Sequence, residues 1–233
     1  MKTHKLLPFA LLFSLLTAIH IVISSFSNTA SLEYITKPLL MFVLGIYFHQ
    51  STPKPLSLLS KTMLIALFFS WLGDVLLMFQ KYSELYFLLG LVSFLFAHVC
   101  YIFAFTKTLK STKGSTKIVG FAILIYFAIG IGLISYLKEG LGEMLIPVII
   151  YSFTIILMNI MSASRYEKVS PSSFRWVMIG AISFLVSDSL IAIHKFHAPI
   201  AASGLWIMAT YCLGQYLIVV GILKQLWSDK LDR

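Results

Sequence analysis

Two aspartates, Asp74 and Asp188, interrupt long apolar stretches of the sequence. A carboxylate within a membrane span costs about 2.5–3.5 kcal/mol on insertion scales, so it is expected to face a cavity or to pair with a cation. Two carboxylates in one low-dielectric cavity do not both ionise easily, so one keeps a proton while the other stays anionic. Such a pair supplies an acid and a counter-charge, as in glycoside hydrolysis. Either Asp could take either role.

Other polar side chains in the apolar stretches could bind a substrate or tune the carboxylates. From the residues themselves we name Lys37, Tyr151, His98, Tyr101 and Gln215. Lys37 could hold the nearer Asp ionised, bind a lipid phosphate, or form an ion pair that only orients helices. His98 and Tyr101 are three residues apart and share a helix face, where His98 could equally be a hydrogen-bonded packing residue. Gln215 is typical of an interhelical hydrogen-bond donor.

The sequence contains no pattern typical of a metal or nucleotide site. His194 and His197 fall in a predicted loop, where a solvated role is expected, and no zinc-ligand spacing is convincing. No Gly-rich phosphate loop, nucleophile elbow or CxxC motif is present. Cys100 and Cys212 lie within apolar spans and are expected to be buried thiols. We therefore predict a site without a metal or an organic cofactor.

Membrane-spanning helices must position these residues. Of the 233 residues, 59% are hydrophobic and 12% are charged, and the mean hydropathy is +0.91, whereas soluble domains carry about 25% charged residues. The apolar runs match the roughly 20 residues that a helix needs to cross about 30 Å of hydrocarbon, and strand-like alternation is missing. The sequence therefore predicts an all-α polytopic bundle of eight transmembrane helices. The predicted spans are 6–26, 31–50, 57–79, 84–106, 117–137, 143–162, 173–194 and 199–223.

The distribution of basic residues predicts the orientation of these spans. The net charge is +9, and only four of the eighteen lysines and arginines fall on one side of the predicted spans, in or beside the loops at Lys37, Lys81, Lys138 and Lys195. The positive-inside rule then places both termini in the cytoplasm. The excess of positive charge is accounted for by topology and anionic lipid headgroups, so no nucleic-acid partner is expected.

A shift of 114 residues lays spans one to four over spans five to eight. Asp74 then meets Asp188, and Lys37 meets Tyr151. Each half has an even number of crossings, so we predict two parallel repeats, about 1–110 and 117–224, in a single transmembrane domain of residues 1–233. This relation would place both carboxylates at one depth in the outer half of the bilayer, where they could face one central cavity.

Several segments together resemble the YhhN family of polytopic membrane proteins, which includes the lysoplasmalogenases. The most specific are residues 70–78, around Gly73 and Asp74, and residues 180–190, around Ser187 and Asp188. Weaker likeness comes from Gly90, Leu91, Phe94, His98, Tyr101, Thr36, Lys37, Pro38, the stretch 151–158, Tyr211 and Gln215. The likeness covers nearly the whole chain in order, and it adds Ser187 to the candidate substrate-binding or tuning residues.

The resemblance implies hydrolysis of the vinyl-ether bond of a lysoplasmalogen, with Asp74 and Asp188 as catalytic groups. The expected products are a fatty aldehyde and glycerophosphoethanolamine or glycerophosphocholine, and the expected partners are the lysophospholipid, water and membrane lipids. A bacterial inner membrane is the expected location, and a related single-chain lipid remains an alternative substrate. Two other functions fit the same features: a proton-coupled secondary carrier and a non-catalytic lipid-binding or scaffolding protein.

Overall fold

A computed structural model describes residues 6–25, 30–109 and 116–231. In the described residues the chain is helical, and no strand occurs. The α-helices are α1 (Leu6–Ser25), α2 (Ala30–Ser51), α3 (Leu58–Met78), α4 (Glu84–Lys107), α5 (Thr116–Leu141), α6 (Leu145–Ala163), α7 (Pro171–Phe196) and α8 (Ser203–Leu231). The predicted all-α class is thus confirmed. The basic residues Lys2, Lys5, Lys110, Lys113 and Arg233 lie outside the described residues.

The helices α5 and α6 form a hairpin although the chain between them stays helical. A single 3₁₀ turn, Gly142–Met144, connects them, and Gly142 has a φ of +48°. The rings of Phe127 and Phe153 lie 6.1 Å apart, whereas 26 residues of straight helix would separate them by about 39 Å. Seven helical runs in the described residues are long and apolar enough to cross a membrane when Thr116–Ala163 is counted as one run. The hairpin divides that run into two antiparallel helices.

Contacts at both ends of the bundle show that successive helices run in opposite directions. We call the end where α1 begins and α8 ends the terminal end. There the Trp227 indole donates to the carbonyl of Ser51, at the end of α2, over 2.9 Å. At the opposite end, Phe87 at the start of α4 packs edge-to-face on Phe196 at the end of α7. These contacts place the second halves of α3 and α7, with Asp74 and Asp188, in the half of the bundle away from the terminal end.

Two tightly packed hairpins, α3–α4 and α7–α8, form the centre of the fold. Gly180 and Gly214 allow α7 and α8 to approach closely, because a Cβ built on Gly180 would lie 2.8 Å from the Gly214 carbonyl oxygen. By contrast, α1 buries only Phe13 and His20. Large apolar side chains cover the outside of the bundle, as expected where lipid replaces water.

A fully buried arginine ties three helices together at the terminal end. The Arg165 guanidinium lies in the α6–α7 connection and donates to the Thr108 hydroxyl over 2.9 Å and to the Ser173 hydroxyl over 2.6 Å. It also stacks over the Phe105 ring. Burial lowers the pKa of this guanidinium from its usual value, an indication of how costly its removal from water is. Its hydrogen bonds fix the end of α4 against the start of α7.

The predicted spans agree with the observed helices to within two residues except at α5 and α8. The α5 span was predicted as 117–137, and it ends four residues too early because the helix runs to Leu141. The α8 span was predicted as 199–223, and it is wrong at both ends because α8 runs from Ser203 to Leu231. Ala202 has a φ of +51°, a left-handed conformation that delays the start of the helix. At the other end, Gln225 and Leu226 are buried, so packing extends the helix past Lys224, where the apolar pattern stops.

Candidate active site

Asp74 lies near the end of α3 and is held by a cation and a phenol. Its Oδ1 is 3.8 Å from the Lys37 ammonium of α2, and its Oδ2 accepts a 2.7 Å hydrogen bond from the Tyr211 hydroxyl of α8. The Asp74 side chain is only 4% exposed. Both oxygens of this carboxylate are therefore engaged with neighbouring side chains.

Asp188, on α7, has different partners. Its Oδ2 accepts a 2.5 Å hydrogen bond from the Tyr151 hydroxyl of α6 and lies 3.8 Å from His98 Nε2 of α4. Among the described residues, Oδ1 accepts no hydrogen bond, and the side chain keeps 12% exposure. One oxygen of Asp188 thus remains available, in contrast to Asp74.

The surroundings of the two carboxylates follow the 114-residue offset. Lys37 and Tyr151, which contact Asp74 and Asp188 respectively, stand at equivalent positions of the predicted repeats. Each Asp also meets a helix of the other half: α8 through Tyr211, and α4 through His98. The two sites are equivalent in position, and they differ in chemistry because one has an ammonium where the other has a phenol.

An apolar cavity reaches Asp188 but not Asp74. Tyr151, Ser152, Asp188 and Ser189 are the polar residues of its lining, and the rest comes from apolar side chains of α3 to α7. Its volume is about 60 Å³, room for a few water molecules or a thin chain. Phe94 lines this cavity and also packs edge-to-face on Tyr211, the partner of Asp74. The structure therefore has a cavity at Asp188 in place of the expected central cavity between both carboxylates.

His98 is buried beside Asp188 without a hydrogen bond. Both ring nitrogens lack a partner among the described residues, and the imidazole is fully buried. Its ring packs edge-to-face on Tyr151, at 5.2 Å, and on Phe184, at 4.8 Å. A buried polar group of this kind requires an explanation, and a displaced water or a bound ligand is a usual one. His98 was also considered as a hydrogen-bonded packing residue. The imidazole does pack against two aromatic rings, but it makes no hydrogen bond with the described residues.

Five of the six candidate substrate-binding or tuning residues lie outside the cavity lining: Lys37, His98, Tyr101, Ser187 and Gln215. The Tyr101 hydroxyl donates to Gln215 Oε1 over 2.5 Å, and Gln215 Nε2 donates to the Ser70 hydroxyl over 3.0 Å. The side chains of Tyr101, Gln215 and Ser70 are fully buried, and they lie one helical turn from the aspartates toward the terminal end. Ser187 donates to the carbonyl of Ile207 over 3.1 Å, across the α7–α8 contact. Tyr101 and Gln215 thus form a closed hydrogen-bond network on the terminal side of the carboxylates. The interhelical role predicted for Gln215 is confirmed. Ser187 joins α7 to α8.

Two residues of the site were not among the candidates from sequence reasoning. The Tyr211 hydroxyl donates a hydrogen bond to Asp74. The sequence feature that could have identified Tyr211 is its position four residues before Gln215, which places both on the same helix face. Phe184 packs on both Tyr211 and His98, so it joins the two carboxylate clusters. An aromatic residue of this kind has no signal in such an apolar sequence. His194 was predicted to lie in a loop, and this is wrong because it lies in the last turn of α7, where its Nδ1 accepts a hydrogen bond from the backbone amide of Ile200.

Within residues 6–25, 30–109 and 116–231, no cluster of three or more histidine, cysteine, aspartate or glutamate side chains could hold a metal ion. Cys100 and Cys212 are free thiols, and Cys212 is buried. The ionisable groups that the structure places around the two aspartates are carboxyl, phenol, imidazole and ammonium groups.

Comparisons with known proteins identify relatives of this chain. A family model described as the YhhN family matches residues 32–222. A protein named lysoplasmalogenase from Mycobacterium tuberculosis is 30% identical over 158 residues, 67% of this chain and 58% of that protein. Lysoplasmalogenase TMEM86A from Bos taurus is 28% identical over 165 residues, 69% of this chain and 64% of that protein. The match thus spans about three fifths of the length of these relatives. No solved structure matches.

Proposed function

The chain belongs to the YhhN family, and on this premise we propose that it is a lysoplasmalogenase-type ether hydrolase. The proposed substrate is a lysoplasmalogen, and the products are a fatty aldehyde and glycerophosphoethanolamine or glycerophosphocholine. The names of the mycobacterial and bovine relatives support this substrate class. The observation that carries the proposal is a carboxyl group with one unbonded oxygen, Asp188, at the wall of an apolar cavity inside a membrane protein.

Cleavage of a vinyl ether begins with a proton added to the alkene carbon farther from the oxygen. The resulting oxocarbenium ion is captured by water to give a hemiacetal, which collapses to an aldehyde and an alcohol. One water is consumed, and the proton that the acid gives up is recovered from that water. The chemistry needs an acid, a counter-charge and water, so no metal or organic cofactor is part of the proposal.

We assign the acid to Asp188 and the counter-charge to Asp74. Asp188 touches the cavity, has only the Tyr151 phenol and the His98 imidazole as polar partners, and keeps Oδ1 available to carry a proton. Asp74 is paired with the Lys37 ammonium, which favours the ionised form of a carboxylate. After proton transfer, the Asp188 carboxylate is placed to accept a proton from the attacking water. His98, whose Nε2 lies 3.8 Å from Asp188 Oδ2 and whose nitrogens lack hydrogen-bond partners among the described residues, is the group we propose to orient the Asp188 carboxyl.

The closed network below the aspartates supports an enzyme over a secondary carrier. A carrier needs a path from the site to both membrane surfaces. Tyr101, Gln215 and Ser70 are fully buried and bonded across α3, α4 and α8 on the terminal side of the carboxylates. The cavity instead opens among α4, α5, α6 and α7, in the opposite half of the bundle. Bonded polar side chains thus close the carboxylate layer toward the terminal end between α3, α4 and α8, an arrangement that suits a hydrolase of membrane lipids.

Eight membrane crossings with both termini in the cytoplasm complete the proposal. The α5–α6 hairpin supports two crossings in the run Thr116–Ala163, and the two helices have 26 and 19 residues. The terminal end then faces the cytoplasm, as the excess of basic residues there requires. In a bacterium the location would be the inner membrane, with the aspartates in the outer half of the bilayer. The two halves, about 1–110 and 117–224, are proposed as parallel repeats.

The test is incubation of the purified full chain with a lysoplasmalogen and, separately, with its saturated alkyl-ether analogue. Aldehyde should form only from the vinyl ether, because only that double bond is activated for protonation by the ether oxygen. Cleavage of the saturated analogue at a similar rate would refute the oxocarbenium mechanism, and release of no aldehyde from any lysoplasmalogen would refute the activity.

A further inference from the structure

A second apolar groove adjoins the Asp188 cavity. It runs between α5 and α7, and it shares Ile129, Leu185 and Ser189 with the cavity. From these shared residues it extends toward the terminal end, as far as Ile118 on α5 and Phe174 on α7. The groove and the cavity therefore adjoin at these three residues, next to the wall that carries the Asp188 carboxyl group.

The dimensions of the groove suit a single hydrocarbon chain. Along α7 it extends from Ser189 to Phe174, which at 1.5 Å per residue is about 22 Å. One leaflet of the hydrocarbon core, and hence one lipid chain, is about 15 Å deep. Among the described residues that line the groove none is charged, and only Tyr126 and Ser189 bring hydroxyl groups to it. The groove is long enough and apolar enough for the whole chain of a lysolipid.

The connection to the cavity favours a lipid chain over a partner helix as the occupant. A helix is about 10 Å wide and could cover the groove but could not enter the 60 Å³ cavity at its end. A chain could occupy both. The contact of α5 with α7 is also sparse compared with that of α5 with α6, so the groove opens sideways to the bilayer.

We propose that the α5–α7 groove binds the hydrocarbon chain of a single-chain lysolipid and admits it laterally from the membrane. The chain lies along α7, and its ether end reaches Asp188. This inference rests on the proposed function for the identity of the reacting bond. The binding of the chain, however, can be measured without any turnover. The groove then sets the length of chain that the enzyme accepts.

Photocrosslinking tests the binding site directly. The probe is an alkyl-ether lysophosphatidylethanolamine, which is not cleaved, with a diazirine near the end of its chain. We expect labelled peptides from the middle of α5 and α7, around Phe121 and Met178, and competition by unlabelled lysolipid. A groove of about 470 Å³ between α2 and α3, at Phe42 and Phe68, matches the 500 Å³ of the α5–α7 groove but reaches neither aspartate. It serves as the control for bulk lipid, and labelling there should be at least fivefold weaker.

Chain-length selectivity tests the function of the groove with matched variants. Ile182 and Ile125 line the groove, whereas Ile179 and Leu124 are exposed on the same helices and do not. In Ile182→Trp and Ile125→Trp, each methylene kept out of the groove should lower kcat/KM about fourfold, so long chains should lose far more than short ones. Ile179→Trp and Leu124→Trp should keep the original length profile.

The outcomes separate this inference from the proposed function. Competed labelling of the α5–α7 groove without aldehyde formation supports the groove and refutes the proposed activity. Equal labelling of both grooves, or labelling that unlabelled lysolipid does not reduce, overturns the groove even if the protein cleaves lysoplasmalogen. A length profile that is unchanged in Ile182→Trp, with the variant folded, also overturns it. Should the tryptophan variants not fold, the crosslinking of the unmodified chain decides alone.

Discussion

Removal of the proton donor at Asp188 should nearly abolish turnover while leaving the fold intact. In Asp188→Asn the amide oxygen can still accept the hydrogen bond that Tyr151 donates, so the contact between α6 and α7 is kept. The amide carries no transferable proton on the atom that faces the cavity. General acid catalysis usually contributes about 10²–10⁴-fold, so kcat should fall by at least 100-fold.

Asp74→Asn should also lower kcat, but by a different route. The Lys37 ammonium lies 3.8 Å from Asp74, a gross attraction of about 4 kcal/mol at an effective dielectric of 20. Without the carboxylate, that positive charge acts against the cation that forms at Asp188. A 100-fold loss in kcat would correspond to about 2.7 kcal/mol of lost transition-state stabilisation. The double variant Asp74→Asn/Lys37→Met removes both charges and should regain at least tenfold in kcat.

The assay is aldehyde release from lysoplasmalogen by purified variants of equal thermal stability, with binding of the saturated analogue measured in parallel. The variant Asp74→Asn/Asp188→Asn should be hardly slower than Asp188→Asn, because residues that act as a unit are non-additive. Near-normal hydrolysis by folded Asp188→Asn would end the assignment of Asp188 as the acid. If Asp188→Asn is inactive but Asp74→Asn is normal, a single carboxyl group does the chemistry and the counter-charge role is wrong.

Three further predictions concern the surroundings of the site. Tyr151→Phe removes the phenol that bonds Asp188 Oδ2, and kcat should fall about tenfold with a displaced pH profile, measured by aldehyde release; an unchanged profile would contradict its tuning role. Gly214→Val forces a side chain against the Gly180 carbonyl and should destabilise the protein by about 1–3 kcal/mol in thermal unfolding, whereas Gly45→Ala, which meets nothing within 4 Å, should be neutral. A reporter fused in the loop at Lys81 should report the outside of the cell, and a cytoplasmic signal there would overturn the proposed topology.

Most of the helical framework could be predicted from the sequence, since apolar runs of the required length determine where helices form in a bilayer. The hairpin at Gly142 was predictable as well, because a polar break at Lys138 divides the apolar run. The extension of α8 beyond Lys224 was not, because Gln225 is buried through a hydrogen bond with the backbone amide of Ser170, a tertiary contact that hydropathy does not contain.

The candidate site was predictable in its residue types but not in its geometry. An acid in an apolar run is conspicuous, so Asp74 and Asp188 were found, and the 114-residue offset paired Lys37 with Tyr151. Which carboxylate meets the cavity depends on where the Phe94 ring packs, and one phenylalanine among nineteen gives no sign of that. Tyr101 and Gln215 are also 114 residues apart, so the offset predicts that they occupy equivalent positions in the two repeats. It does not predict that they touch, and their hydrogen bond to each other could therefore not be inferred from the sequence.

The contrast between Lys37 and Tyr151 explains how two equivalent carboxylates can take different roles. Both Asp74 and Asp188 receive a phenol hydrogen bond, from Tyr211 and Tyr151. Only Asp74 also has an ammonium, and only Asp188 has an oxygen without a hydrogen bond and a cavity beside it. An ammonium stabilises the ionised form of its carboxylate, whereas an apolar cavity with neutral partners favours a carboxylic acid. Under the proposed roles, Lys37 beside Asp74 and the neutral partners Tyr151 and His98 beside Asp188 therefore divide the two acids of the predicted repeats into counter-ion and proton donor.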